Sequence, residues 1–221
     1  MLKNTIVLIL KKLSPAVYTK LKAYHCLIRA KDSYIHSTGW LNSILKEKPI
    51  DNENNLLPWM NYTIISILKE RLKPDMNLFE FGSGYSTIFF AKYVNSVTSI
   101  EYDRSWFDLV KSQIPSNANL VYKKNDIDGD YCRSIDKMSK SFDVVVIDGR
   151  DRVNCVKNSI QYLTPDGIML LDDSHRSKYD EAILYATKRG FRALHIEGLK
   201  PSGSRIDRTT ILYRDNNCFN I

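Results

Sequence analysis

The stretch "NLFEFGSGYST", Asn77 to Thr87, decides how this 221-residue chain is read. An apolar run carrying one acid, Glu80, ends in two glycines a residue apart, Gly82 and Gly84. Glycines at a strand-to-helix junction let the main chain turn sharply and approach a ligand closely. The helix that follows offers unpaired N–H groups to an anion or carboxylate. Nineteen residues past Gly82 stands Glu101, at the end of the next strand-like run, "SVTSIE". An acid there can accept hydrogen bonds from both hydroxyls of a ribose. G-x-G alone is common at such turns, and the pairing with Glu101 is what points to a nucleoside.

Outward from this turn, strands are expected at Asn77–Phe81, Ser96–Glu101, Asn119–Tyr122, Phe142–Ile147 and Gly167–Leu171. Helical stretches near Thr87–Tyr93, Ser105–Ser112, Asn154–Tyr162 and Tyr179–Lys188 alternate with them. That order predicts an α/β fold, a Rossmann-like doubly wound sheet covered on both faces. "FDVVVID" and "GIMLLDD" are almost wholly apolar until they end in acid, as central strands buried on two sides would be. Asp148, Asp172 and Asp173 then stand at the carboxyl edge, where such sheets bind ligands. "FRALHIEG" and "RTTILYR" have no helix between them and should pair antiparallel. The expected sheet has seven strands, mostly parallel with an antiparallel last strand.

Residues 1–57 read as a basic helical arm with a linker, and 58–221 as the catalytic domain. From Met1 to Lys31 there are seven basic residues and no acid, which leaves 25 basic against 25 acidic residues for the rest. A neutral body gives no footprint for nucleic acid. In the arm, Ser14 and Pro15 suit a helix start, and Val17, Leu21, Tyr24 and Ile28 recur on one helical face. The favoured expectation is that this stripe docks on the body; the alternative is peripheral contact of residues 1–31 with an anionic membrane surface or an acidic partner. No apolar run approaches the roughly 20 residues of a membrane helix, so a cytoplasmic body is expected. Cys26, Cys132, Cys155 and Cys218 form no C-x-x-C pair and read as free thiols. Trp59 is expected to pack in the core, and "GLKPSGSRIDR" to be a flexible lid over the substrate.

A dinucleotide fingerprint would place a third glycine at Thr87 and usually no acid just before the first. Here Glu80 precedes Gly82 by two residues, which suits a cofactor presenting an ammonium group, S-adenosylmethionine. From about Asn61 to Arg214 the chain resembles the class I S-adenosylmethionine-dependent methyltransferases. The resemblance implies that Glu80 lies by the methionine end and that the turn from Gly82 through Ser83 and Gly84 to Thr87 passes beneath the cofactor. It further implies that Glu101 holds the ribose, that Tyr102 flanks the adenine, and that Asp126 in "KKNDIDG" meets the adenine amino group. An aspartate in a polar loop is equally a turn former. Ser86 stands where a further glycine is usual.

The acids after the fourth and fifth strands look like those of the metal-dependent O-methyltransferases of the catechol and sugar types. That likeness implies Asp148, Asp172 and Asp173 as ligands of a divalent ion such as Mg²⁺, which would acidify a substrate hydroxyl. The catechol type has a lysine base three residues after the first ligand, where this chain has Asp151, so Asp151 or His175 is left to accept the proton, with Asp148 sharing in catalysis as a ligand. Helix capping by the same aspartates is the plainer reading. Arg150, Arg152 and Arg176 either grip an acidic substrate or balance the carboxylates. A bacterial group of such enzymes also carries a Gly-Trp and a Pro-Trp ahead of the turn, as Trp40 and Trp59 do here. The expected activity is O-methylation of a small molecule or a sugar or glycan precursor. The alternatives are a metal-free methyltransferase, an NAD-dependent oxidoreductase, and an interaction protein with a vestigial pocket.

Overall fold

The computed structural model describes residues 9–221. Strands β1 (Asn77–Phe81), β2 (Ser96–Glu101), β3 (Ala118–Tyr122), β4 (Phe142–Ile147), β5 (Leu163–Leu171), β6 (Arg192–Leu199) and β7 (Ile206–Tyr213) form one sheet in the order β3-β2-β1-β4-β5-β7-β6. Strands β1 to β5 pair in parallel, and β7 runs antiparallel between β5 and β6. The first, second and fourth strands begin and end where the sequence placed them, because long apolar runs closed by an acid leave little freedom in register.

Side chains on a strand alternate between faces, and here both faces are covered. On one side Leu78, Val144, Val146 and Leu170 join Ile64, Leu68, Phe89 and Phe90, which come from helices α4 (Tyr62–Arg71) and α5 (Tyr85–Phe90). On the other, Phe79, Phe81, Val145 and Ile147 meet Cys155, Val156, Ala182 and Ala186 from helices α7 (Arg152–Ser159) and α8 (Asp180–Thr187). Val144 through Ile147 have no solvent-accessible surface, and each such side chain contributes about 1.5–3 kcal/mol of burial. Asn61 starts α4 by accepting the Ile64 N–H at 3.0 Å, and its amide donates to Ile196 O at 3.1 Å, fixing the helix to β6. The sheet order reverses direction between β1 and β4, which opens a crevice at their carboxyl ends.

Three expectations change. The arm helix α1 (Pro15–Tyr24) begins where Ser14 and Pro15 predicted, but it does not dock: none of its residues is buried. Both faces of the sheet are already covered by helices from within residues 62–187. A π-helical turn, His25–Arg29, follows, and the arm is tied down only beyond it, by Ser33 Oγ donating to Leu27 O and by His36 Nε2 at 2.6 Å from Ile28 O. Residues 1–8, including Lys3, lie outside the described residues.

Secondly, residues 33–57 pack with the body. Helices α2 (Tyr34–Ser37) and α3 (Trp40–Leu45) lie in this segment, Ser43, Ile50 and Leu57 are buried, and Trp40 Nε1 donates to Gly203 O at 2.7 Å. Thirdly, Trp59 is 46% exposed, and its indole donates to Pro201 O at 3.0 Å. The two tryptophans thus pin the loop between β6 and β7 that composition suggested was a flexible lid. Cys132, Cys155 and Cys218 are buried, Cys26 is exposed, and all four are free. No helix among the described residues is long and apolar enough to cross a membrane.

Candidate active site at the carboxyl edge of the sheet

The glycine turn takes its shape from two close approaches. Gly82 has φ +98°, and a Cβ there would stand 3.2 Å from the Asp148 and Gly149 backbone. Gly84 has φ +154°, and a Cβ would stand 3.2 Å from the Trp106 indole. Opposite the turn, Glu101 is 2% exposed and fully engaged. One oxygen accepts Ser83 N–H (3.0 Å) and Ser83 Oγ–H (2.7 Å), and the other accepts Tyr102 N–H and Asp103 N–H (both 2.8 Å). Asp103 caps helix α6 (Arg104–Lys111), and this sets Trp106 in the first helical turn, where Nε1 donates to Ser83 O at 2.8 Å. A cavity of about 320 Å³ lies here, lined by Gly82, Ser83, Glu101, Tyr102, Asp103 and Trp106 together with Glu80, Ser86, Asp148 and Gly149. Trp106 escaped the sequence reading. Its signal was an aromatic residue one turn into a capped helix directly after Glu101.

Glu80 lies beneath this floor, 1% exposed. Its carboxylate accepts hydroxyls from Ser86, from Thr87 at 2.6 Å and from Ser99 at 2.6 Å. Burial pushes its pKa up to about 7, with the nearby Asp148 charge adding and the three hydroxyls opposing. Thr87 is buried and does not line this cavity. Its hydroxyl accepts Gly84 N–H at 3.1 Å and so ties the glycine turn to Glu80, a strut where a cofactor contact was expected. Ser86, in the place of a further glycine, donates to Glu80 and also lines the cavity.

A second cavity, about 440 Å³, shares Tyr102, Asp148 and Gly149 with the first. Arg150, Arg176, Lys178 and Tyr179 line it, and the Arg150 guanidinium lies 5.0 Å from the centre of the Tyr102 ring. Asp126 is not in either wall. Its carboxylate accepts Asp130 N–H and Tyr131 N–H and closes a turn, so the turn-former reading holds; its neighbours Asn125 and Ile127 face the cavity instead. Asp151 lines the second cavity, but its oxygens accept Asp128 N–H at 2.8 Å and the Asn154 amide. His175 is exposed, lines neither cavity, and sits with Nδ1 3.3 Å from Asp207.

Asp148, Asp172 and Asp173 do converge, with carboxylate oxygens within 4.8 Å of one another. Such oxygens suit a hard divalent ion in atom type. The position of the cation, however, is taken by Arg152, which is 7% exposed. One guanidinium nitrogen lies 2.9 Å from Asp148 Oδ1 and 3.3 Å from Asp173 Oδ2, and the group also donates to the carbonyls of Gly149, Asp172 and Asp148. Asp173 is further paired with Arg176 at 2.8 Å and Lys200 at 3.3 Å. The residues therefore do not fit a divalent metal, because a buried arginine with five engagements holds the charges together. Sequence reading placed Arg152 nearby without seeing it at the centre, since its i,i+4 reach to Asp148 and its reach across to β5 are tertiary facts.

Burial raises the pKa of Asp172 well above the usual range, and Thr209 donates to it at 2.6 Å. Burial would raise Asp173 too, but Lys200, Arg152 and Arg176 outweigh it and hold that carboxyl low. Asp148 is raised by burial against the pull of Arg152. Of the three, only Asp148 lines the cavities, and it lines both. Lys200 and Asp207, 3.1 Å apart, also escaped the sequence reading. The signal was topological: an antiparallel β7 starts at the edge where the parallel strands end.

No protein-family model matches the chain, and no curated protein matches its sequence. Solved structures do match. A methyltransferase-like protein from Silicibacter pomeroyi superposes with a TM-score of 0.53 at 21% identity over 75% of this chain and 89% of its own. A methyltransferase from Pyrococcus furiosus gives 0.51 at 20% identity over 67% and 80%. An O-methyltransferase of tomaymycin synthesis from Streptomyces achromogenes, in complex with S-adenosylmethionine, gives 0.53 at 16% identity over 67% and 77%. The chain has the Rossmann-like fold that these proteins share.

Proposed function

We propose that the protein is an S-adenosylmethionine-dependent methyltransferase that acts on an oxygen of a small acidic molecule, such as a sugar or glycan precursor, without a divalent ion. One observation carries the reading: a cavity walled by the glycine turn and Glu101 shares Tyr102, Asp148 and Gly149 as a common wall with a second cavity of about 440 Å³. Bound there, S-adenosylmethionine supplies a methyl group on cationic sulfur, an electrophile toward an oxygen lone pair.

The chain's own residues account for the rest. Glu101 would take the ribose hydroxyls once the Ser83 side chain rotates off its oxygen, and Trp106 and Tyr102 supply flat apolar walls on either side. Asp148 is the carboxylate at the junction; Arg152 holds its Oδ1, which leaves Oδ2 to accept a proton from the acceptor hydroxyl. Holding the two reactants in adjoining cavities supplies much of the rate. Arg152 gives the acid cluster its fixed positive charge, and this favours the metal-free form of the reaction. Arg150 and Lys178 line the second cavity and have no carboxylate partner among the described residues, in contrast to Arg152 and Arg176. Their charge favours an acceptor bearing a carboxylate or phosphate. A nicotinamide oxidoreductase is less well supported, because the buried Thr87 strut fills the place of the third glycine.

Calorimetry with S-adenosylhomocysteine tests the reading. Binding is expected, unchanged by Mg²⁺ or chelator and lost in Glu101→Ala. Absence of binding, with NAD bound in its place, would overturn it.

A further inference from the structure

We infer that the arm from Ile9 to Arg29 lays its apolar side on an anionic membrane surface. Residues 9–13 are helical, Ser14 breaks the coil with φ −145° and ψ 73°, α1 runs from Pro15 to Tyr24, and the π turn extends it to Arg29. Ile9, Leu13, Val17, Leu21, Tyr24 and Leu27 are each between 47% and 80% exposed. Val17, Leu21, Tyr24 and Leu27 recur at four, three and three, the spacing that keeps side chains on one side of a helix, and Ile9 and Leu13 stand four apart on the helical turn before Ser14. Large apolar groups gathered on one side of an exposed helix mark a surface that something covers.

Charge identifies the cover. Helical periodicity sets Lys22 and Arg29 away from the Val17–Leu27 side, Lys11 and Lys12 stand on the turn before Ser14, and Lys20, which falls among the apolar residues, has a stem long enough to carry its ammonium out to headgroup level. No acid interrupts the chain from Met1 to Lys31. The body offers no net negative charge as a complement, since its acids and bases are equal in number, and the two faces of its sheet are covered by its own helices. A second copy would bring another arm of the same sign against the first. An anionic bilayer offers negative charge for the lysines and hydrocarbon for the leucines at once, the two signals that reversible surface binding requires. The ties from Ser33 and His36 to the end of the arm would then hold the remainder of the protein close to that surface.

The test uses the full-length protein and co-sedimentation with vesicles of phosphatidylcholine alone or with about 30% phosphatidylglycerol, at low and high salt. Expected is a partition coefficient at least about tenfold higher on the anionic vesicles, falling as salt rises. Two full-length variants separate the terms. Lys11→Glu/Lys12→Glu/Lys20→Glu/Lys22→Glu removes the charge, and Leu13→Asp/Leu21→Asp removes the apolar anchor; each should cut binding about tenfold or more while thermal melting stays that of the parent. No sedimentation with either vesicle, or equal sedimentation with both, overturns the inference. So does a dimer by light scattering that Leu13→Asp/Leu21→Asp dissociates in protein that ignores vesicles, which would assign the face to a second copy. None of these outcomes depends on methyl transfer.

Discussion

Replacing Glu80 by glutamine should change how stability depends on pH more than it changes the fold. Glutamine keeps the shape and can still bond the hydroxyls of Ser86, Thr87 and Ser99, because a hydroxyl both donates and accepts. What it removes is a proton equilibrium. In the folded protein burial places the Glu80 pKa at about 7, against an ordinary 4.5. At about 1.4 kcal/mol per pH unit, that interval is worth about 3 kcal/mol. The sign follows from which state holds the proton. Below about pH 4.5 both folded and unfolded chains are protonated, and the group adds no pH dependence. Between about pH 4.5 and pH 7 the unfolded chain ionises while the folded one keeps its proton, so stability falls as pH rises. Above about pH 7 the loss is complete and constant. In urea denaturation the wild-type chain should therefore lose about 2.5 kcal/mol more than Glu80→Gln between about pH 5 and pH 8, with the other titrating groups cancelling in the difference. Equal losses in the two proteins, within about 0.5 kcal/mol, would refute the claim that a buried, desolvated acid lies under the glycine turn.

Arg152→Met should destabilise the protein by about 3–5 kcal/mol in denaturant melts, because it strands buried carboxylates, and added Mg²⁺ should not restore the parent's midpoint. Asp148→Asn should lower kcat by about 10²–10⁴-fold once an acceptor is in hand, with S-adenosylhomocysteine affinity by calorimetry largely kept. Gly84→Ala should weaken S-adenosylhomocysteine about tenfold or more, since the new Cβ meets Trp106 at 3.2 Å and the φ of +154° is strained; Trp106 fluorescence reads both effects. Arg150→Glu with Lys178→Glu should leave S-adenosylhomocysteine binding intact while abolishing saturation by an acidic acceptor in a methyl-transfer assay.

The sheet was legible in the residues because strand burial is written as runs. "FDVVVID" admits one reading only when both faces are covered, and the helix-free gap between the last two strands forces them antiparallel. The position of Glu101 was legible for a similar reason. Glu101 ends a strand beside the glycine turn, and parallel neighbours bring their carboxyl ends to one edge. Convergence of the three aspartates came from the same rule.

Side-chain direction was not legible. Thr87 and Asp126 sit where a motif places contacts, yet one faces inward to Glu80 and the other into its own turn, because local hydroxyl and N–H groups claimed them first. Nothing in "DGRDRVNC" says that Arg152, of its two cations and two acids, folds back to the centre of a cluster assembled from β4, β5 and the β6–β7 loop. The arm gives the converse case. Its periodicity was plain in the sequence, but whether that stripe was buried depended on vacancies in surfaces built by distant residues. Short-range patterns are fixed by covalent neighbours and reach the level of strands and turns; which polar group faces which cavity is a competition among partners far apart in the chain, and only the folded packing decides it.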